Sequence, residues 1–160
     1  MTIRPDTLVA LARERGITIA AAESCTGGML AAAITDIPGA SKMFDCGFVT
    51  YSNAAKQALL DVRAETLAAH GAVSEAVATE MAQGALDRSA ADFAVAITGI
   101  AGPGGSDHKP EGRVCFALAR RGAEVETEMV DFGRLGRDRV RAASRDHALS
   151  MLTEAIGEAE

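Results

Sequence analysis

The chain has 160 residues, 48% apolar and 24% charged, which is the length of one domain with enough apolar content for a core and excludes global disorder. Its net charge of −6 leaves no basic face for duplex phosphates. Five Phe, one Tyr and no Trp exclude an aromatic stacking platform for single-stranded nucleic acid, so no nucleic-acid partner is expected. Cys25, Cys46 and Cys115 cannot pair evenly and show no CxxC or Cys/His spacing, so neither a disulfide framework nor a metal site is expected. Isolated thiols fit a reducing cytosol. The N-terminal stretch carries charges through its apolar part, unlike a signal peptide. No apolar run approaches the ~20 residues of a membrane span. The expectation is a soluble, cytoplasmic protein without a membrane partner.

Pro5 and Asp6 open a helical pattern that Gly16 closes. Ile17 to Ala22 reads as a short buried strand, and Met29 to Ile34 as a helix after a small polar turn. Phe44 to Tyr51 reads as a strand interrupted by Gly47. Ser52-Asn53 then caps a helix over 54–60. Further helices are predicted over 64–70, ending at Gly71, and from Ser74 to about Ser89. Phe93 to Ile100 is the clearest strand. Val114 to Ala119 and Glu124 to Phe132 flank Arg121-Gly122 as a hairpin. The last helix runs from about Arg137 to Ile156. The order α β α β α α α β β β α predicts a single α/β domain over 1–160. Its architecture is a three-layer α/β/α sandwich with a mixed, mostly parallel sheet of about five to six strands. Alanine, 33 of 160 residues, suits close packing of helices on that sheet.

In such a sheet, sites form at the carboxyl ends of strands. Three of these ends are rich in small and hydroxyl residues: Glu23 to Gly28, Thr50 to Lys56, and Thr98 to Gly105. Ser24, followed by Thr26, Gly27 and Gly28, reads either as a nucleophile beside an oxyanion hole or as a helix cap. Lys56 at a helix start opposes the helix dipole. It reads either as a general base of lowered pKa or as a solvated lysine, and Tyr51 as a proton relay or as a packing residue. His70, His108 and His147 do not fit a triad base, so a serine–lysine pair is favoured by elimination. Cys25 is the rival nucleophile, and a buried structural thiol is its plainer reading.

AAESCTGGML (21–30), ITDIPGASKMF (34–44), GFVTYSNAAK (47–56), GAVSEAVATEMAQGAL (71–86) and ITGIAGP (97–103) strongly resemble the CinA C-terminal domain family. Its stand-alone members are nicotinamide-nucleotide amidases, or NMN deamidases. The resemblance runs from about Leu8 to Leu152. It implies an α/β/α fold and hydrolysis of the carboxamide of nicotinamide mononucleotide (NMN) to nicotinate mononucleotide and ammonia, in pyridine nucleotide salvage. It implies no cofactor and a homodimer. Carried over motif by motif, it implies Ser24 as nucleophile, Lys56 as base and Tyr51 as their assistant. Thr26, Gly27 and Gly28 would belong to the substrate site, together with Thr98, Gly99, Ile100, Ala101 and Gly102. Arg137 and Arg141 would contact the phosphate; exposed charges on an amphipathic helix are their alternative reading. The competing functional reading is a catalytically silent pyridine-nucleotide-binding domain, favoured if Ser24 and Lys56 lie too far apart to interact.

The sequence departs from the family pattern at three places. The loop Gly104 to Lys109 is one residue shorter. Glu111 stands where the family has valine, and Arg113 where it has a small residue.

Overall fold

The computed structural model describes residues 3–106 and 108–159. Helices α1 (Pro5–Arg15), α2 (Met29–Thr35), α3 (Asn53–Leu60), α4 (Ala64–His70), α5 (Glu75–Asp87) and α6 (Arg137–Glu158) surround five strands: β1 (Ile19–Glu23), β2 (Phe44–Val49), β3 (Phe93–Gly99), β4 (Arg113–Arg120) and β5 (Glu126–Asp131). The sheet order is β2-β1-β3-β4-β5. The pairs β1–β2 and β1–β3 are parallel, while β3–β4 and β4–β5 are antiparallel. The element order follows the predicted one, with a single 3₁₀ turn added at Ala40–Lys42.

Strand ends differ from the sequence pattern for identifiable reasons. Ile17 belongs to the cap of α1: Gly16 is left-handed (φ 65°) and the Ile17 amide donates to the Ala12 carbonyl at 2.9 Å. β1 therefore starts at Ile19. β2 stops at Val49, and the Thr50 amide gives the last rung of the β1–β2 ladder, donating to the Glu23 carbonyl at 2.9 Å. Gly47 does not break β2; it pairs with Ala21 in register. The β4–β5 connection is longer than a two-residue turn, since the ladder ends at Leu118 and Glu126. Arg121 at that turn is instead tied to the α5–β3 connection, donating to the carbonyls of Leu86, Ser89 and Ala91 at 2.8–2.9 Å.

The two faces of the sheet differ in bulk. One carries Ile19, Phe93, Val95, Ile97, Val114, Phe116 and Leu118, which pack with α1, α2 and α6. The other carries Ala20, Ala22, Ala94, Ala96, Cys115, Ala117 and Ala119 against Ala78, Met81, Ala82 and Ala85 of α5. Alternation along each strand sends the large residues to one side and the small ones to the other. Small side chains on both surfaces let α5 lie close to the sheet. Gly84 extends this to the next layer, because a Cβ there would collide with the Leu60 carbonyl at the end of α3. Close seating of α3 through α5 sets where Lys56 can reach.

Candidate active site

β2, β1 and β3 run the same way, so the three loops singled out in the sequence open at one end of the sheet. They border a cleft of 430 Å³ whose lining includes Ser24, Cys25, Tyr51, Lys56, the 98–106 segment and Arg137.

Ser24 directly follows β1, and its amide donates to the Ile97 carbonyl at 3.0 Å, which pins it between β1 and β3. The turn after it is organised by Glu23, which is 1% exposed. Its Oε1 accepts from Thr26 Oγ1 (2.6 Å), the Gly28 amide (3.2 Å) and the Leu30 amide (3.0 Å), and its Oε2 accepts from the Ala31 amide (3.0 Å). The N-terminal amides of α2 are thus filled from inside the protein. A carboxylate there also suits the helix dipole. Glu23 was missed in the sequence because it ends a strand and adds nothing to the local motif; the groups that donate to it lie up to eight residues on. Gly27 and Gly28 supply the left-handed backbone of this turn, φ 57° and 105°.

Lys56 reaches the same point from α3. Ser52 caps that helix, accepting from the Ala55 amide at 3.0 Å. The Lys56 side chain is 1% exposed, and its Nζ lies 2.9 Å from Ser24 Oγ. Nζ also donates to the Thr50 carbonyl at 2.8 Å and lies 3.5 Å from the Tyr51 carbonyl. No carboxylate pairs with Lys56 among the described residues. Burial without a counter-charge pulls its pKa down to about 8, opposed in part by Cys25. Three oxygens surround Nζ, matching the three donors of an ammonium; in the neutral amine two N–H groups face the two carbonyls and the lone pair faces the serine hydroxyl. Cys25 has the opposite character. Burial raises its thiol pKa to about 11, so it is protonated at neutral pH.

Tyr51 is 61% exposed, and its hydroxyl accepts from Arg137 Nη2 at 2.9 Å. It is the carbonyl of Tyr51 that faces Lys56, while the ring lines the cleft. Arg137 Nη1 also donates to the Gly102 carbonyl at 2.7 Å, so one guanidinium links the β2–α3 loop to the β3–β4 loop. The other sequence-chosen residues separate into two groups. Thr98, Gly99, Ile100, Ala101 and Gly102 line the cleft. Thr26 is buried on Glu23, and Arg141 donates to the carbonyls of Cys25 (3.0 Å) and Thr26 (3.3 Å), clamping the Ser24 turn from behind. Gly27 lies against that Arg141 guanidinium. The sequence pattern places both arginines one helical turn apart on α6 but cannot say which of them reaches the cleft.

The departures from the family pattern have structural partners. Glu111 Oε1 accepts from the Gly104 amide at 2.5 Å, and its side chain lies against Gly102. Arg113 forms a two-pronged ion pair with Asp131 across β4 and β5, at 2.9 and 3.2 Å. That pairing lowers the Asp131 pKa and raises that of Arg113.

The family model of the CinA C-terminal domain matches residues 3–156. The chain is 54% identical over 141 residues to the nicotinamide-nucleotide amidohydrolase PncC of Escherichia coli K12, covering 88% of this chain and 85% of that protein. It is 52% identical over 159 residues to a competence-damage inducible protein of Symbiobacterium thermophilum, covering 92% of this chain but only 37% of that longer protein. The crystal structure of the competence/damage inducible protein CihA from Agrobacterium tumefaciens superposes with a TM-score of 0.88 at 46% identity, over 99% of this chain and 100% of that one. With an α/β fold shared over nearly its whole length and a family match across residues 3–156, the chain belongs to the CinA C-terminal domain family.

Proposed function

We propose that this protein hydrolyses the carboxamide of NMN, giving nicotinate mononucleotide and ammonia, through Ser24 as nucleophile and Lys56 as general base. The 2.9 Å contact between a buried lysine and a serine hydroxyl at the floor of the cleft is the observation that carries this reading. The resemblance to PncC supplies the substrate class.

Neutral Lys56 takes the Ser24 proton as Oγ bonds to the amide carbon. The pyridinium ring withdraws electrons from that carbon, so the substrate is already activated. The resulting oxyanion needs backbone donors. The amides of residues 28, 30 and 31 are committed to Glu23, and that of Gly27 donates to the Ser24 carbonyl. The Cys25 and Thr26 amides donate to no other residue among those described, and of the two only Cys25 lines the cleft, so its amide is assigned as a donor. The C–N bond then breaks. Protonated Lys56 returns its proton towards the leaving nitrogen, with the Tyr51 hydroxyl assisting. That hydroxyl accepts from Arg137 and keeps its own proton available for the substrate. Water then attacks the acyl-serine ester, releases nicotinate mononucleotide and restores Ser24. Arg137 is assigned to the substrate side of the cleft. Arg141 acts by holding the turn that carries Ser24.

Ammonia release from NMN by the purified protein, with Ser24→Ala and Lys56→Ala beside it, tests this assignment. Turnover is expected for the wild type, with a loss of at least ~10³-fold in each variant. Turnover that persists in both variants removes the mechanism. A wild type inert towards NMN removes the substrate and favours a silent nucleotide-binding domain.

A further inference from the structure

Lys109 was not among the residues chosen from the sequence, yet it lines the same cleft as Ser24, Lys56 and Arg137. It is half-buried, and its Nζ donates to the His70 and Val73 carbonyls, both at 2.6 Å. These carbonyls belong to a wall of four consecutive peptide groups between α4 and α5. The Ser74 hydroxyl donates to the Gly71 carbonyl at 2.9 Å, and the Thr98 hydroxyl to the Ala72 carbonyl at 2.9 Å. The wall is therefore satisfied by side chains, and Lys109 is held in place by neutral groups alone. Among the described residues it has no carboxylate within ion-pair distance, in a chain with 22 acidic residues.

An ammonium has three N–H donors, and two of these are placed. The third, on a fixed cation at the cleft wall, is a charge-assisted donor for a ligand anion. The surrounding backbone leaves room. Arg137 holds the Gly102 carbonyl at the near end of the loop and Lys109 stands at its far end. Gly104 and Gly105 lie between them and present no side chain. The Gly104 amide is already taken by Glu111, so the cations rather than that amide are left to meet an anion.

We propose that Lys109 is a specificity-determining residue that contacts the phosphate of the nucleotide substrate, an inference that rests on the NMN amidase reading above. In this assignment Lys109 and Arg137 flank the glycine pair, and the enzyme prefers a phosphorylated nucleotide to the corresponding nucleoside because of them. It differs from a purely structural strap in one respect. A strap that only holds the wall affects every ligand of the cleft alike, whereas a phosphate contact affects only ligands that carry the phosphate.

The test uses Ser24→Ala protein, which binds without turnover, alone and combined with Lys109→Met or Lys109→Arg. Calorimetric affinities are measured for NMN and for nicotinamide riboside. The expected result is a loss of at least tenfold for NMN in Lys109→Met and less than twofold for the riboside, with Lys109→Arg recovering most of the NMN affinity. An NMN affinity within twofold of the parent overturns the proposal, as does an equal loss for both ligands. A wild type that releases no ammonia from NMN is a different result: it overturns the amidase reading on which the proposal rests.

Discussion

In the proposed mechanism Lys56 concentrates the site's chemistry in one buried amine. Its depressed pKa means that the reactive, neutral form grows as pH rises through about 8. The log of kcat/KM for NMN should therefore climb with unit slope below that value and level off above it, as a pH–rate profile between pH 6 and 9.5 will show. The same shift has a consequence for stability. The folded-state pKa lies below the unfolded value of 10.5, so the unfolded chain binds more protons between about 8 and 10.5 and stability rises with pH in that window. Below it both states are charged and the folded state carries the desolvation cost. Relative to Lys56→Met, the wild type should gain about 3 kcal/mol between pH 7 and 10.5, a difference measurable by denaturant titration of both proteins. Tyr51→Phe separates the uses of the tyrosine: it keeps the ring and removes the acceptor of Arg137. If the hydroxyl serves proton transfer, kcat falls by at least ~10-fold; unchanged kcat assigns Tyr51 to packing.

At the scale of elements, two devices hold the serine turn and the lysine helix together. Glu23 caps α2 with both carboxylate oxygens. Replacing it with Gln turns an NH₂ group towards one of its amide donors, leaving a buried donor without a partner. The expected cost is about 1–3 kcal/mol in urea unfolding, with reduced kcat because Ser24 loses its fixed turn. Gly84 is the second device. In an ordinary helix interior Gly→Ala stabilises by about 0.5–1 kcal/mol. Here the added methyl meets the Leu60 carbonyl, so Gly84→Ala should destabilise instead and displace α3 with Lys56. A thermal melt that rises on this substitution would show that the two helices have room to part.

For the molecule as a whole, the site exists because three chain segments far apart in sequence end at one edge of a parallel sheet core. Arg137 closes the arrangement from α6 by bonding the β2–α3 loop and the β3–β4 loop together. It is exposed and makes no buried contact, so Arg137→Met should leave stability within about 0.5 kcal/mol while lowering kcat/KM for NMN by roughly 10–100-fold. Steady-state kinetics beside a thermal melt will separate these effects.

Much of this was legible before folding. Hydrophobic period and capping residues are local, so the order of elements, the Ser52 cap and the small-residue loops after β1, β2 and β3 can all be read from neighbours in the chain. Ser24, Tyr51 and Lys56 stood out because their motifs are local as well. The ladder lengths were less legible, since Ile17 is taken up by the cap of α1 and Arg121 is drawn to carbonyls of the α5–β3 connection. What only the tertiary structure decided are the long-range pairings. Lys56 meets Ser24 across 32 positions and Arg141 turns to the Cys25 carbonyl across 116, while Lys109 crosses 36 to reach the Val73 carbonyl. A sequence can nominate a lysine or an arginine, but its charge state and its partner depend on burial and on which backbone groups surround it. Those are set by packing: an alanine face that lets α5 and α3 close in, and a parallel sheet core that brings the three loops to one end.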